Sequence, residues 1–163
     1  MPDAKRLLNG AAESKLAFAG LGLATVAMAR HDSREAIRQL TTALKALDRD
    51  LPPEAPEVFA AGILGDEAAR TRALEMIHAQ LDTHPAVVSG SALYALVRMG
   101  EPARALAVVT SSPTSNDALF LSLLWSPYGH DARVLPEFPA FARHIGLAEV
   151  WDAYGAPDVC AGQ

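Results

Sequence analysis

The sequence predicts an all-α fold, a right-handed superhelix of antiparallel helical hairpins formed by one domain of 163 residues. Three observations carry that prediction. Half of the residues are hydrophobic but only 6% are aromatic, and alanine and leucine outnumber the β-branched types, which is the composition of packed helices. Apolar residues recur every three or four positions in one segment after another. A turn-then-helix phrase, opened by Asp or Gly and closed by proline, occurs three times along the chain.

The first helix is expected over about 12–29. Its stretch from Leu16 to Ala29, LAFAGLGLATVAMA, carries no charge over fourteen residues, short of the ~20 that a membrane-spanning helix needs. Lys5, Arg6 and Lys15 precede it and Ala27-Met28-Ala29 has the look of a signal cleavage site, but Asp3 and Glu13 break the basic region, so the segment reads as part of the domain. Asp32-Ser33-Arg34-Glu35 reads as a capping box, in which Asp32 accepts the Glu35 amide and the Glu35 side chain reaches back. The helix it opens turns Ala36, Leu40, Ala43, Leu44 and Leu47 inward and runs to about Asp48, before Leu51-Pro52-Pro53.

A second pair follows: a proline-flanked helix over about 54–64, then Gly65-Asp66 opening another with Ala73, Leu74, Ile77 and Leu81 inward. The third pair is a helix over about 86–99, then Gly100-Glu101-Pro102 opening one with Ala105, Leu106 and Val109 inward. Ala36, Ala73 and Ala105 lie 37 and 32 residues apart, on either side of the roughly 34-residue period of tetratricopeptide repeats. The expected hairpins are therefore 17–50, 54–84 and 86–113, degenerate repeats followed by a cap over 115–163. In that cap a helix ends near Trp125, Ser126-Pro127-Tyr128-Gly129 makes a turn, and short helices carrying Phe138, Phe141 and Ile145, then Leu147, Val150, Trp151 and Tyr154, close on Gly146 and Gly155. A stack of hairpins leaves its last apolar face open, and Phe138, Phe141, Trp151 and Tyr154 are expected to cover it.

The segment RVLPEFPAFARHIGLAEVWDAYGAPDVC supplies Pro136, Phe138, Phe141, Gly146, Leu147, Trp151, Pro157, Asp158 and Cys160 in order. It resembles the terminal motif of tetratricopeptide regions in bacterial winged-helix transcriptional regulators and class III adenylate cyclases. Val150 and Tyr154 depart from the family, which more often has an aromatic beside the tryptophan and a threonine. No winged-helix or cyclase domain is present in these residues, so the DNA-binding and cyclase activities do not carry over.

Chemistry is sparsely marked. Fourteen basic against nineteen acidic residues give a net charge of −5 with no basic stripe, which argues against nucleic-acid binding. The single cysteine, Cys160, forms no internal disulfide and reads as structural. His31, His78, His84, His130 and His144 make no metal-ligand spacing, Gly20-Leu21-Gly22 lacks the third glycine of a dinucleotide fingerprint and both glycines read as sites of close helix packing, and Gly-x-Ser-x-Gly does not occur. No catalytic residue, metal or cofactor is expected; the enzymatic alternative would need His130, Asp131 and His144 to converge. Repeats of this kind bind partners along the first helices of their hairpins, which puts Thr25, Phe59, Tyr94 and Arg98 on a partner-binding groove. The expected function is non-enzymatic binding of a protein or peptide partner, with self-association through the apolar 16–29 helix as the alternative. The location expected is cytoplasmic, with the periplasm left open.

Overall fold

The computed structural model describes residues 17–48, 51–83, 89–111 and 118–155. Leu16, Pro157, Asp158 and Cys160, and with them the sequence readings made there, lie outside the described residues. Those described are helical between turns, with no strand among them. They fall into two compact units divided between Ile77 and His78.

The first unit holds α1 (17–29), α2 (Ser33–Leu47), α3 (Ala55–Ile63) and residues 67–77 of α4 (Glu67–Thr83). Helix α2 packs on α3. Ala24, Ala36, Leu40, Leu44, Phe59 and Ile77 are buried to within 1% in its core. Gly20 is there because α2 comes close: a Cβ at this position would stand 3.0 Å from the Ala43 Cβ. Gly22 was expected to serve the same packing, but a Cβ there would meet nothing within 4 Å, because it lies on the outer side of α1.

The first cap departs from its expected form in one half. Asp32 Oδ1 accepts the Glu35 amide at 3.1 Å, as the sequence predicts. The Glu35 carboxylate does not reach back; it takes two bonds from Arg38, at 2.7 and 2.5 Å, and one from Gln39 at 2.8 Å. An arginine one turn along the helix offers two charge-assisted donors where the backbone offers one neutral one, so the side-chain pairing wins. Hydrogen bonds from Arg38, then Gln39, hold the Glu35 carboxyl down to about 2.

The three turns inside the expected hairpins share one hydrogen-bond pattern. A residue in the left-handed region follows each first helix: His31 (φ 59°), Gly65 (φ 99°) and Gly100 (φ 88°). The amide of that residue bonds the carbonyl three back, at Met28, Gly62 and Val97. The next amide, of Asp32, Asp66 and Glu101, bonds the carbonyl five back, at Ala27, Ala61 and Leu96. This pair of bonds is the Schellman closure, which satisfies carbonyls that a helix end leaves unpaired. The turns recur 34 residues apart from Asp32 to Asp66, and 35 from Asp66 to Glu101.

That register corrects the alanine alignment. Four residues past the turn stand Ala36 and Ala105, both fully buried, but Arg70 in the middle hairpin. Ala73, also fully buried, makes its close contact one helical turn further on. The uneven alanine spacing thus reflects where a small residue sits on α4, while the turns themselves are evenly placed.

The second unit holds residues 78–83 of α4 with α5 (Gly90–Arg98), α6 (Pro102–Ser111), α7 (Ala118–Leu124), a 3-10 turn (Pro127–Gly129), α8 (His130–Arg133), α9 (Phe138–His144) and α10 (Leu147–Tyr154). Helix α5 starts later than the 86 expected, because the Ser89 hydroxyl accepts the Ala92 amide at 3.0 Å and fixes the N-cap there. It packs against both α6 and α7, and every residue from Ser91 to Val97 is buried. A helix apolar on all sides belongs at the centre of its unit.

Phe138 and Phe141 enter the core as expected. Phe141 meets Phe120 edge-on at 6.0 Å between ring centres and stacks with Phe138 at 5.8 Å. Trp151 is half-buried, 6.2 Å from Trp125 and 6.3 Å from Phe138. Tyr154 does not share in this cover, being 87% exposed at the end of α10. Its helix lays only one side on α9, and Tyr154 follows Trp151 by three residues into the last turn, beyond the neighbouring aromatics.

Candidate functional site

Helix α5 ends in a cluster that the spacing of Tyr94 and Arg98 foreshadows. The two residues are four apart, so their side chains share one face. Arg98 Nη1 donates to the Tyr94 hydroxyl at 3.1 Å, and the guanidinium carbon lies 5.8 Å from the Tyr94 ring centre. The same guanidinium lies 3.7 Å from the ring centre of Tyr128, in the 3-10 turn, a close cation–π stack. Tyr94 is 6% exposed and Tyr128 40%, with Arg98 between them half-buried. The cluster therefore has a buried phenol at its base and, in Tyr128, an aromatic residue partly exposed to solvent.

Burial raises the Tyr94 phenol above the ordinary tyrosine value, against the opposing charge and hydrogen bond of Arg98. Around neutral pH it is a neutral hydroxyl. It accepts from Arg98, and no acceptor among the described residues takes its own proton.

Tyr128 was read only as part of a turn, and what holds it in place is Arg133. That side chain is 6% exposed and donates through Nη1 to the carbonyls of Leu124 and Ser126, the latter at 3.1 Å. A cation on the last carbonyls of α7 meets the negative end of the helix dipole. Gly129 completes the turn: a Cβ there would come within 2.5 Å of the Leu124 Cα and 2.6 Å of the Leu123 oxygen. Gly129 belongs to the turn the sequence predicts, but Arg133 does not stand out there, since a buried arginine bonded to backbone carbonyls has no periodic signature.

The other predicted groove positions lie in the first unit. Thr25, Phe59 and Tyr94 each stand seven residues before their turn residue, Asp32, Asp66 and Glu101, so they hold the same place relative to the recurring turn. Thr25 is exposed with its hydroxyl bonded to the Leu21 carbonyl at 3.0 Å. Phe59 is 1% exposed and so serves the core; a large ring at the equivalent of Thr25 is better buried than hydrated. His130, Asp131 and His144 are all exposed, and no hydrogen bond or ion pair joins them. Among the described residues no three His, Cys, Asp or Glu side chains are grouped to hold a metal.

Elsewhere in the second unit His78 Nε2 meets Glu101 Oε2 at 2.9 Å, and Arg104 stands 3.8 Å from Asp82, tying the end of α4 to the start of α6. Asp82 and Arg104 border an open pocket of about 380 Å³ with Leu81, Ala107, Val108 and Ser111. No helix among the described residues is long and apolar enough to cross a membrane. The chain matches no family model, no curated protein and no solved structure.

Proposed function

We propose that this chain is a non-enzymatic protein-interaction or sensory module built from degenerate tetratricopeptide-like repeats, of the kind that serves bacterial signalling proteins or transcriptional regulators. The observation that carries the reading is the recurrence of one turn, with the same two backbone bonds and a left-handed residue, at intervals of 34 and 35 residues. Those intervals agree with the roughly 34-residue repeat, and successive hairpins of that period wind into a right-handed superhelix with a binding groove. Tyr94 and Arg98 are its anchors, a rigid aromatic and a forked donor of the types enriched at binding hot spots. The experiment is affinity capture with the wild-type chain beside Tyr94→Phe and Arg98→Ala variants whose melting is unchanged. A partner held by the wild type and lost by both variants is expected; one that survives both removes the groove assignment.

A second reading, self-association, is favoured by α1. Phe18, Leu23 and Val26 are 43%, 53% and 46% exposed on a helix without a charge from Ala17 to Ala29. Such a face reads as an interaction surface.

A further inference from the structure

We propose that the pocket between the end of α4 and α6 binds a free α-amino acid with an apolar side chain, at a site separate from the Tyr94 and Arg98 cluster. The pocket has a volume of about 380 Å³ and is bordered by Leu81 and Asp82 of α4 and by Arg104, Ala107, Val108 and Ser111 of α6. That volume falls within the roughly 300–1,000 Å³ of small-molecule sites.

The two charged residues carry the proposal. Asp82 Oδ1 and Arg104 Nη2 stand 3.8 Å apart, near enough to attract and too far to share a hydrogen bond. One turn earlier on the same two helices, His78 Nε2 and Glu101 Oε2 close to 2.9 Å. Neither Asp82 nor Arg104 takes part through its side chain in a hydrogen bond among the described residues. A carboxylate that accepts nothing and a guanidinium that donates nothing are thus left side by side on the border of one pocket.

An α-amino acid carries an ammonium and a carboxylate on one carbon. Laid beside this pair, it gives each charge a neighbour of opposite sign and a charge-assisted hydrogen bond. The helix ends set its direction. Asp82 stands in the last turn of α4, where the dipole favours the ammonium, and Arg104 in the first turn of α6, where it favours the carboxylate. Ser111 donates its proton to the Val108 carbonyl at 2.9 Å, which leaves the hydroxyl oxygen as an acceptor for the ammonium. Leu81 is 6% exposed and Val108 9%, so the apolar wall that the ligand's side chain would meet is held in place by the core. A zwitterion is also indifferent to the net charge of −5, which opposes the approach of a free anion.

The test titrates the full chain, ¹⁵N-labelled and followed by NMR, with L-leucine, with N-acetyl-L-leucine, which lacks the ammonium, and with L-leucinamide, which lacks the carboxylate. Leucine is expected to move the amide signals of Asp82, Arg104, Ala107 and Ser111. It should bind about five- to tenfold more tightly than either blocked form, since each gives up one charge-assisted bond at a partly exposed group. Asp82→Asn should bring leucine down to the level of N-acetyl-leucine, and Arg104→Gln to that of leucinamide. The two side chains are 74% and 48% exposed, so neither change should disturb the fold. Ala107→Leu fills the pocket from an exposed helix position and is expected to abolish the shifts without lowering the melting temperature. A silent titration, equal binding of the three ligands, a preference for leucine that both charge variants leave intact, or shifts that persist in Ala107→Leu would each overturn the site.

Discussion

Side-chain identity matters most where the backbone leaves no room or the solvent no access. Gly129 and Gly22 make the contrast. At Gly129 a methyl group would press on the backbone of α7, which cannot give way as a flexible side chain can. Gly129→Ala is therefore expected to cost up to about 3 kcal/mol, the upper end of overpacking effects, measured by urea denaturation followed through Trp125 and Trp151 of the same unit. Gly22→Ala, in open space on a helix, is expected to stabilise by about 0.5–1 kcal/mol through the lower entropy of the unfolded chain. Tyr94 gives a pH prediction. Its phenol is raised in the folded state, so the stability it contributes is fully present below about pH 10, the unfolded value, and is lost as pH rises through the higher folded one. Denaturation midpoints between pH 9 and 11 should fall more steeply for the wild type than for Tyr94→Phe; parallel curves would show that the phenol ionises equally in both states.

Elements are set by their ends. The three Schellman turns place a left-handed residue at each hairpin, and only the first of these is not glycine. Gly100→Ala should cost about 1–2 kcal/mol and His31→Gly should gain a similar amount at most, since a Cβ in that region crowds the next carbonyl; thermal melts of the two variants moving in the same direction would contradict this. These turns were legible because Gly65-Asp66 and Gly100-Glu101 advertise them, and the apolar periodicity of α2 and α6 places their buried faces correctly. The late start of α5 was not legible, because Ser89 competes with an uninterrupted apolar approach and only the cap bond decides it. The register of the middle hairpin misled for a related reason: burial of an alanine can shift by one turn along a helix without changing face, so Ala73 marks the face and not the repeat position. Of the candidate site, Tyr94 and Arg98 could be read from their spacing. Tyr128 could not, for it reaches Arg98 through a turn whose shape depends on Arg133 and Gly129, contacts made by tertiary packing alone.

At the scale of the whole molecule the exposed apolar surface of α1 is the feature to account for. Monomeric proteins seldom leave a contiguous apolar helix face in water, and polar residues on such a face would keep the protein apart from its copies. Here Phe18, Leu23 and Val26 remain exposed and the residues between them carry no charge. Gly22 stands among them with no packing reason of its own, and a helix without a side chain at that point lets another backbone approach closely. A second copy is the partner such a face fits most simply, since a two-fold axis would set the same apolar stripe against itself. Sedimentation equilibrium across a hundredfold range of concentration should then show mass rising above 17.2 kDa, and Leu23→Lys with Val26→Lys should return it to the monomer without lowering the melting temperature, because neither side chain is in the core. A wild-type mass that stays at the monomer throughout would set self-association aside. The apolar stripe would then be left to a partner of another kind, which the capture experiment can detect by a complex that survives the Tyr94 and Arg98 substitutions and fails with the two lysines.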